Sequence, residues 1–312
     1  MIKLILILII IFLIIIIIIC TKHQRIKKEG LTNMTMPYDI IIVKPHGVGK
    51  DFVGYFAHVN HFLYLIANSK GEGSLKFSPK YFTGIESKHN TTNFKNPLEI
   101  NALAYSDDKL LEDRNQKWLF DNKYTFPSSD HRYPESYRNK EQITKRRKEL
   151  NKAFNNNCRI SKHILVITNS YNSRFNTNVL GIHIRSQKQS KLEHIPFEEF
   201  IKIYTDYVDS KLKEYSSIFL ATHLQDAFDL FKNRYGNKLI VHNHYLNPNN
   251  KSDWTDNKID REEENRNVLI DMILLSKCKE IVGGPSNVFY AAIWYNTSLN
   301  FYMPDIYKEE VL

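Results

Sequence analysis

The chain has 312 residues, 42% hydrophobic and 25% charged, enough apolar material for one large or two medium domains, which excludes a short peptide or a disordered tail. Three cysteines, Cys20, Cys158 and Cys278, are too few and too scattered for a disulfide-stapled secreted scaffold or a structural zinc site. Lys and Arg number 43 against 34 Asp and Glu, and the formal charge of +9 suits an anionic partner: a phosphate ligand, a nucleic acid or a membrane surface. Biased coding composition, in a chain so rich in Ile, Lys and Asn, accounts for such a balance equally well.

The first element is Leu4 to Cys20, an unbroken apolar run of mostly isoleucine, long enough for a transmembrane helix. Ile17, Ile18 and Ile19 precede Cys20 where a cleaved leader would carry small residues, so an uncleaved anchor within residues 1–29 is expected. Two signals oppose each other on its orientation. Lys22, Arg25, Lys27 and Lys28 follow the span, which by the positive-inside rule places the rest of the chain in the cytosol. Four glycosylation sequons, at Asn33, Asn90, Asn250 and Asn296, require a lumenal location if modified.

Residues 30–37 read as a polar stem, and Asp39 to Val43 as a short β-branched strand that opens the globular part. Phe52, Phe56, Val59, Phe62, Leu63 and Ile66 then recur at helical spacing. From Lys70 to Pro134 the pattern weakens, with Ile100 to Tyr105 and Trp118 to Phe120 as strand candidates. Tyr137 to Asn156 is charged and helix-prone, and its Lys145-Arg146-Arg147-Lys148 run reads as a solvated face rather than a nucleic-acid site, since no recognition motif accompanies it. The Asn155 to Asn157 run suggests a junction, dividing residues 38–157 from residues 158–312.

Strands and helices alternate regularly after that: Val179 to Ile184, Pro196 to Lys213, Ser217 to Ala221, Gln225 to Tyr235, Lys238 to His242, Glu262 to Ser276, Glu280 to Val282, and Ser286 to Tyr295. Such alternation predicts an α/β fold with a doubly wound parallel sheet. Pro196 suits a first helical position, Glu198 and Glu199 complement the helix dipole, and Phe197, Phe200, Ile201, Tyr204 and Val208 share one apolar face.

Ligands of such sheets gather beyond the carboxyl ends of the strands. His183 and Arg185 end the run Gly181-Ile182-His183-Ile184-Arg185 on one side of the strand, and a guanidinium there can grip a diphosphate, although a core histidine and an arginine paired to a carboxylate would read the same. Gly283-Gly284-Pro285-Ser286-Asn287 leads a strand into a helix, where free backbone N–H groups bind phosphate. Asp271 lies in the apolar stretch Leu269 to Met272, either solvent-facing or placed to accept from the donor edge of a base. Other patterns fail: Gly49-Lys50 lacks the remaining residues of a P-loop, and His58 with His61, or His242 with His244, lack a third ligand, so no metal is expected. The chain contains no Asp-x-Asp pair.

In order, these pieces resemble the fucosyltransferase superfamily, which includes α1,2-, α1,6- and protein O-fucosyltransferases and the nodulation fucosyltransferases. The Gly181 to Arg185 run is similar to its His-x-Arg motif. Ile218 to Thr222 with Phe231-Lys232-Asn233-Arg234-Tyr235-Gly236 is similar to its second block, and Val268 to Cys278 through Ser286-Asn287 to its third. Gly47-Val48-Gly49 resembles a degenerate form of its opening. The resemblance covers about residues 179 to 302.

The resemblance implies a glycosyltransferase B fold of two Rossmann-like domains, the second holding GDP-fucose and the first an acceptor glycan or protein, with no metal or other cofactor. Arg185 would hold the β-phosphate and stabilise departing GDP; His183 and Asp271 would face the guanine side; Ser286, Asn287, Gly283 and Gly284 would cradle phosphate, with Thr222 nearby. Glu193 would activate the acceptor hydroxyl. The enzyme class implies a single-pass Golgi or endoplasmic-reticulum protein with a lumenal catalytic domain. Two departures stand out: Ser186, Gln187 and Lys188 follow the first motif where the family has a second basic residue and an acid, and Thr222-His223 replaces Thr-Asp. They raise the alternative of a catalytically silent GDP-sugar or glycan binder.

Overall fold

The computed structural model describes residues 40–43, 59, 60, 63, 74–77, 98–100, 140–175, 178–187, 192–242, 246 and 261–307. The run Leu4 to Cys20, the stem, Gly47 to Gly49, Lys188 and His244 lie outside these residues. Among the described residues no helix is long and apolar enough to cross a membrane. The chain divides into two units, Met1–Ile40 with Glu72–Ser74, and Ile41–Gly71 with Leu75–Leu312. Strands β1 (Ile40–Val43) and β2 (Ser74–Phe77) straddle that division. Everything that follows belongs to the second unit.

Its centre is a five-stranded parallel sheet of β5 (Val179–Ile184), β6 (Ser217–Thr222), β7 (Leu239–Val241), β8 (Glu280–Gly283) and β9 (Asn300–Tyr302), in the order β7-β6-β5-β8-β9. All six residues of β5 are buried, as a strand flanked on both sides and covered on both faces must be. The helices between strands are α4 (Phe197–Lys211), α5 (Gln225–Tyr235), α6 (Arg261–Ser276) and α7 (Asn287–Tyr295), each within a few residues of the pattern in the sequence. Pro196 is the N-cap of α4 rather than its first helical residue, because its ψ of 141° is extended. Helix α5 ends at Gly236, whose positive φ of 48° stops the helix at little steric cost to a residue without a Cβ.

The strands' alternation sorts the core into two layers. Leu180, Ile182, Ile184, Ile218 and Leu220 pack with Phe200, Tyr204, Ala227 and Phe231 of α4 and α5. Val179, Phe219, Ala221 and Ile240 face the other way, against Leu269, Met272, Ile273, Phe289 and Trp294 of α6 and α7. Gly181 lies on that second face, where a Cβ would stand 2.8 Å from Cys278 Sγ and from Ile281. Cys158 and Cys278 are both buried free thiols, and burial pushes Cys158 up to about 12, so neither is a nucleophile at neutral pH.

Three further elements join the second layer. Helix α1 (Lys140–Asn157) leads into β4 (Cys158–Ile160), which pairs antiparallel with β3 (Leu98–Ile100); α2 (Lys162–Ser170) and the short α3 (Asn172–Phe175) follow. The basic run of α1 is not a uniformly solvated face, and this corrects the sequence reading. Arg147 turns inward: Nε donates to the carbonyl of Ile293 at 2.9 Å, Nη2 to those of Asn296 and Leu299 at 2.8 Å, and the guanidinium lies 5.7 Å from the Phe301 ring centre. Asn151 donates to the carbonyl of Tyr295 at 2.9 Å. The C-terminal carbonyls of α7, which the helix itself leaves unpaired, are thus capped from α1. Residues on both sides of 158 share this core, since Val59, Leu63, Leu150 and Phe154 belong to the same cluster as Trp294.

Candidate active site

The order β7-β6-β5-β8-β9 reverses direction at β5: successive strands run outward to β7, then α6 crosses back to β8 on the other side. Ligands of open α/β sheets bind at such a switch point, here beyond the carboxyl ends of β5 and β8. The residues bordering it follow from register, since His183 pairs with Gly283 and Ile184 with Thr222. Sequence-marked residues from three segments are therefore brought together at one edge of the sheet: His183 and Arg185 from β5 and its exit, Gly283 to Asn287 from the β8–α7 turn, and Thr222 from β6.

The α7 start is well defined. Ser286, 3% exposed, has the extended backbone of an N-cap, and its Oγ accepts from the N–H of Phe289 at 3.0 Å. That cap leaves the first-turn N–H groups of Asn287 and Val288, at the positive end of the helix dipole, for an anion. The same Oγ lies 3.4 Å from His183 Nδ1. When Oγ donates to Nδ1, the ring proton of neutral His183 sits on Nε2, a donor at the carboxyl end of β5. Burial foremost, then the Arg185 charge and that of His223, push His183 down to about 3, so the imidazole is neutral at physiological pH. Arg185, half-buried just past the strand, brings a fixed positive charge to the rim.

The two glycines serve packing. A Cβ on Gly283 would stand 2.6 Å from Phe289 Cδ2, and one on Gly284 would collide with the Tyr307 ring, whose Cε1 and hydroxyl oxygen would be 2.7 Å away. Tyr307 cannot step aside, because its hydroxyl is hydrogen-bonded to that of buried Tyr204 at 2.6 Å, and Tyr204 is bonded in turn to the Gly284 backbone. Gly284→Ala is expected to destabilise the fold by about 1–3 kcal/mol through overpacking. A urea midpoint equal to that of the parent would contradict this.

Thr222 has its hydroxyl engaged: it donates to the carbonyl of Ile184 at 3.0 Å and accepts from the N–H of Leu224 at 3.1 Å, pinning the ends of β5 and β6 together. Asn287 points to another partner, Asn60, whose Nδ2 donates to the Asn287 carbonyl at 3.0 Å and to its Oδ1 at 3.2 Å while its Oδ1 accepts from Trp294 Nε1 at 2.9 Å. Glu193 lies exposed on the turn before α4, a turn tied to the β5 exit by Gln187, whose side chain donates to the carbonyls of Leu192 and Ile195.

Asp271 is buried on α6, not solvent-facing. Burial raises its carboxyl to about 7, opposed by the nearby His242. His242 is held by Tyr171, whose hydroxyl is 3.3 Å from Nδ1, and by Asn267 Oδ1, 3.2 Å from Nε2. The strand pattern places three histidines on one face at one edge. His183 pairs with Ala221, His242 follows Val241 at the same level, and His223 lies two residues beyond Ala221, all on the α6 side. In the sequence His242 stands as half of a metal pair with His244 and His223 as a departure from a motif, and the alternation of β6 and β7 is the signal that sets both on this face. Among the described residues no group of three or more His, Cys, Asp and Glu is placed to hold a metal ion.

His183 and Asp271 have opposite effects on stability as pH changes. Unfolded His183 takes up a proton below about 6.5 that the folded state refuses, so its contribution is lost as pH falls from there towards 3. Asp271 binds its proton more tightly when folded, so its burial penalty fades as pH falls from 7 to 3.8. The two slopes oppose each other between those limits. Asp271→Asn is expected to expose the histidine slope, with stability falling by up to about 1.4 kcal/mol per pH unit more steeply than in the parent between pH 6 and 4. Urea titrations across that range would show parallel curves if this assignment is wrong.

No protein-family model matches the chain, and no curated protein sequence matches it. Solved structures do match its course. The α1,6-fucosyltransferase NodZ soaked with GDP-fucose is 14% identical with a TM-score of 0.49, over 83% of this chain and 92% of that one; other NodZ structures are from Bradyrhizobium. A mutant FUT1 of Arabidopsis thaliana in complex with GDP is 12% identical with a TM-score of 0.46, over 90% of this chain and 76% of that one. POFUT1 in complex with GDP-fucose is 12% identical with a TM-score of 0.43, over 87% and 99%.

Proposed function

We propose that the chain is a glycosyltransferase of the B-fold type that transfers a sugar, fucose first among candidates, from a GDP-sugar to a hydroxyl of a glycan or protein. The observation that carries this reading is the joining of β5 and α7 at the switch point: neutral His183 against the Ser286 cap, with the Arg185 guanidinium at the exit of the same strand. That arrangement suits a diphosphate, and the motif order from Gly181 to Asn287 is similar to that of fucosyltransferases.

In this reading the diphosphate lies across the carboxyl ends of β5 and β8, taking the Asn287 and Val288 N–H groups and Arg185 as donors. The bond between the anomeric carbon and the phosphate oxygen breaks as the acceptor oxygen bonds the opposite face of that carbon, which inverts the configuration. Negative charge grows on the departing phosphate, and Arg185 stabilises it more in the transition state than in the bound donor. The acceptor proton passes to the Glu193 carboxylate, which the Gln187-tied turn presents to solvent. The protein's own groups meet the diphosphate charge, with no metal required. The apolar run Leu4 to Cys20 would hold the enzyme to a Golgi or endoplasmic-reticulum membrane with this domain in the lumen.

A transfer and donor-hydrolysis assay with GDP-fucose tests the reading. Release of GDP that depends on Arg185 supports it; tight GDP binding with no release from any GDP-sugar would leave the silent binder in its place.

A further inference from the structure

Asn60 is a buried amide among apolar neighbours. It is 8% exposed, and Val59 and Leu63 beside it are fully buried in the cluster that holds Trp294. A buried polar side chain is costly unless its groups are paired. Those of Asn60 are paired with one helix, α7: Oδ1 accepts from Trp294 Nε1 at 2.9 Å, and Nδ2 donates to the carbonyl of Asn287 at 3.0 Å and to its Oδ1 at 3.2 Å.

The partners leave one orientation for each amide. An indole N–H can only donate, so the Asn60 atom facing Trp294 is oxygen; a backbone carbonyl can only accept, so the atom facing Asn287 is nitrogen. That nitrogen also meets the Asn287 side chain, and an Asn287 amide turned the other way would set two NH2 groups against each other. Trp294 cannot change the order, because it is 1% exposed and its ring centre lies 5.3 Å from that of Phe154. The far end of the series is therefore Asn287 Nδ2. Asn287 is half-buried at the first residue of α7, beside the N–H groups that the Ser286 cap leaves for an anion, and among the described residues its Nδ2 donates to no acceptor.

We propose that Asn60 is a positioning residue for the donor diphosphate: by occupying Asn287 Oδ1 it holds the Asn287 amide so that Nδ2 adds a side-chain donor to the backbone N–H groups at the start of α7. The inference rests on the donor reading above. Asn60 itself touches no ligand. Without it the Asn287 amide is free to present oxygen, which repels phosphate, as readily as nitrogen, and binding must then fix the rotamer that Asn60 fixes beforehand.

The test is calorimetric titration of GDP into four full-length proteins, the parent, Asn60→Ala, Asn287→Ala and the double variant, with a urea midpoint for each. The expected result is GDP binding about tenfold weaker in Asn287→Ala and about threefold to tenfold weaker in Asn60→Ala. In the double variant no amide is left to orient, so its affinity should lie within about twofold of that of Asn287→Ala. If Asn60 merely held α7 in place, its removal would weaken GDP binding by the same factor in both backgrounds, and that outcome would overturn the proposal. So would Asn287→Ala binding GDP as tightly as the parent; this variant removes only a half-buried amide, so the comparison stands even if Asn60→Ala fails to fold. A parent that does not bind GDP would overturn the donor reading and this proposal with it, whereas the other two outcomes leave the donor reading intact.

Discussion

Arg185→Ala is expected to lower the rate of sugar transfer by about a hundredfold to a thousandfold, with the fold unchanged. The guanidinium belongs to the residue just past β5, at the switch point, and its side chain is half-buried, so its removal leaves no large void. Its contribution grows with the charge on the departing diphosphate, and the loss should therefore fall more on kcat than on KM. Arg185→Lys should recover only part of the rate, because an ammonium cannot offer two parallel donors to a phosphate. Stopped turnover assays on the three proteins at one donor concentration series would check this. A rate within a few-fold of the parent in Arg185→Ala would remove the proposed role.

The largest effect on stability is expected at Arg147. The carbonyls of Ile293 in the last turn of α7, of its C-cap Asn296 and of Leu299 just before β9 accept from one guanidinium, which also lies over Phe301. Arg147→Met keeps the apolar stem but strips all three donors, and hydrogen bonds to charged groups contribute about 1.5–3 kcal/mol each before relaxation and water repair part of the loss. A destabilisation of about 3–5 kcal/mol follows. It would also loosen α7, whose other end carries the Ser286 cap, so donor affinity should fall together with stability. Urea unfolding followed by tryptophan fluorescence is a direct readout, because Trp294 sits within α7. A loss under about 1 kcal/mol would mean that water replaces the guanidinium at little cost.

Much of the α/β architecture was legible in the sequence because its strands are short, largely apolar and followed closely by polar residues. Val179 to Ile184 and Gln225 to Tyr235 coincide with the observed elements to the residue. The elements that escaped have weak patterns for identifiable reasons. Cys158–Ile160 is three residues long with an exposed Arg159 at its centre, α2 carries apolar residues on both faces, and Asn300–Tyr302 is an edge strand with no fully buried residue.

Candidate-site residues near the sheet edge were legible through one rule, that polar residues following parallel strands face the ligand side. What each does locally was less legible. Nothing in Gly283-Gly284 announces that the missing Cβ atoms make room for Phe289 and Tyr307, since those rings arrive by tertiary packing. The Thr222 hydroxyl is taken up in joining β5 to β6, and Asn287 in joining α7 to Asn60, bonds that no local spacing encodes. Arg147 reads as one cation in a basic run because the carbonyls it caps are far along the chain.

The most direct test of the central claim is calorimetric titration of GDP and UDP into the full-length protein and into Arg185→Ala. The proposed donor site predicts saturable binding of GDP, at least tenfold weaker binding of UDP, and weaker GDP binding in the variant, since GDP carries the full charge of the departed diphosphate that Arg185 meets. Equal affinity for the two nucleotides, or GDP binding indifferent to Arg185, would contradict it and leave the switch point between β5 and β8 without its proposed ligand.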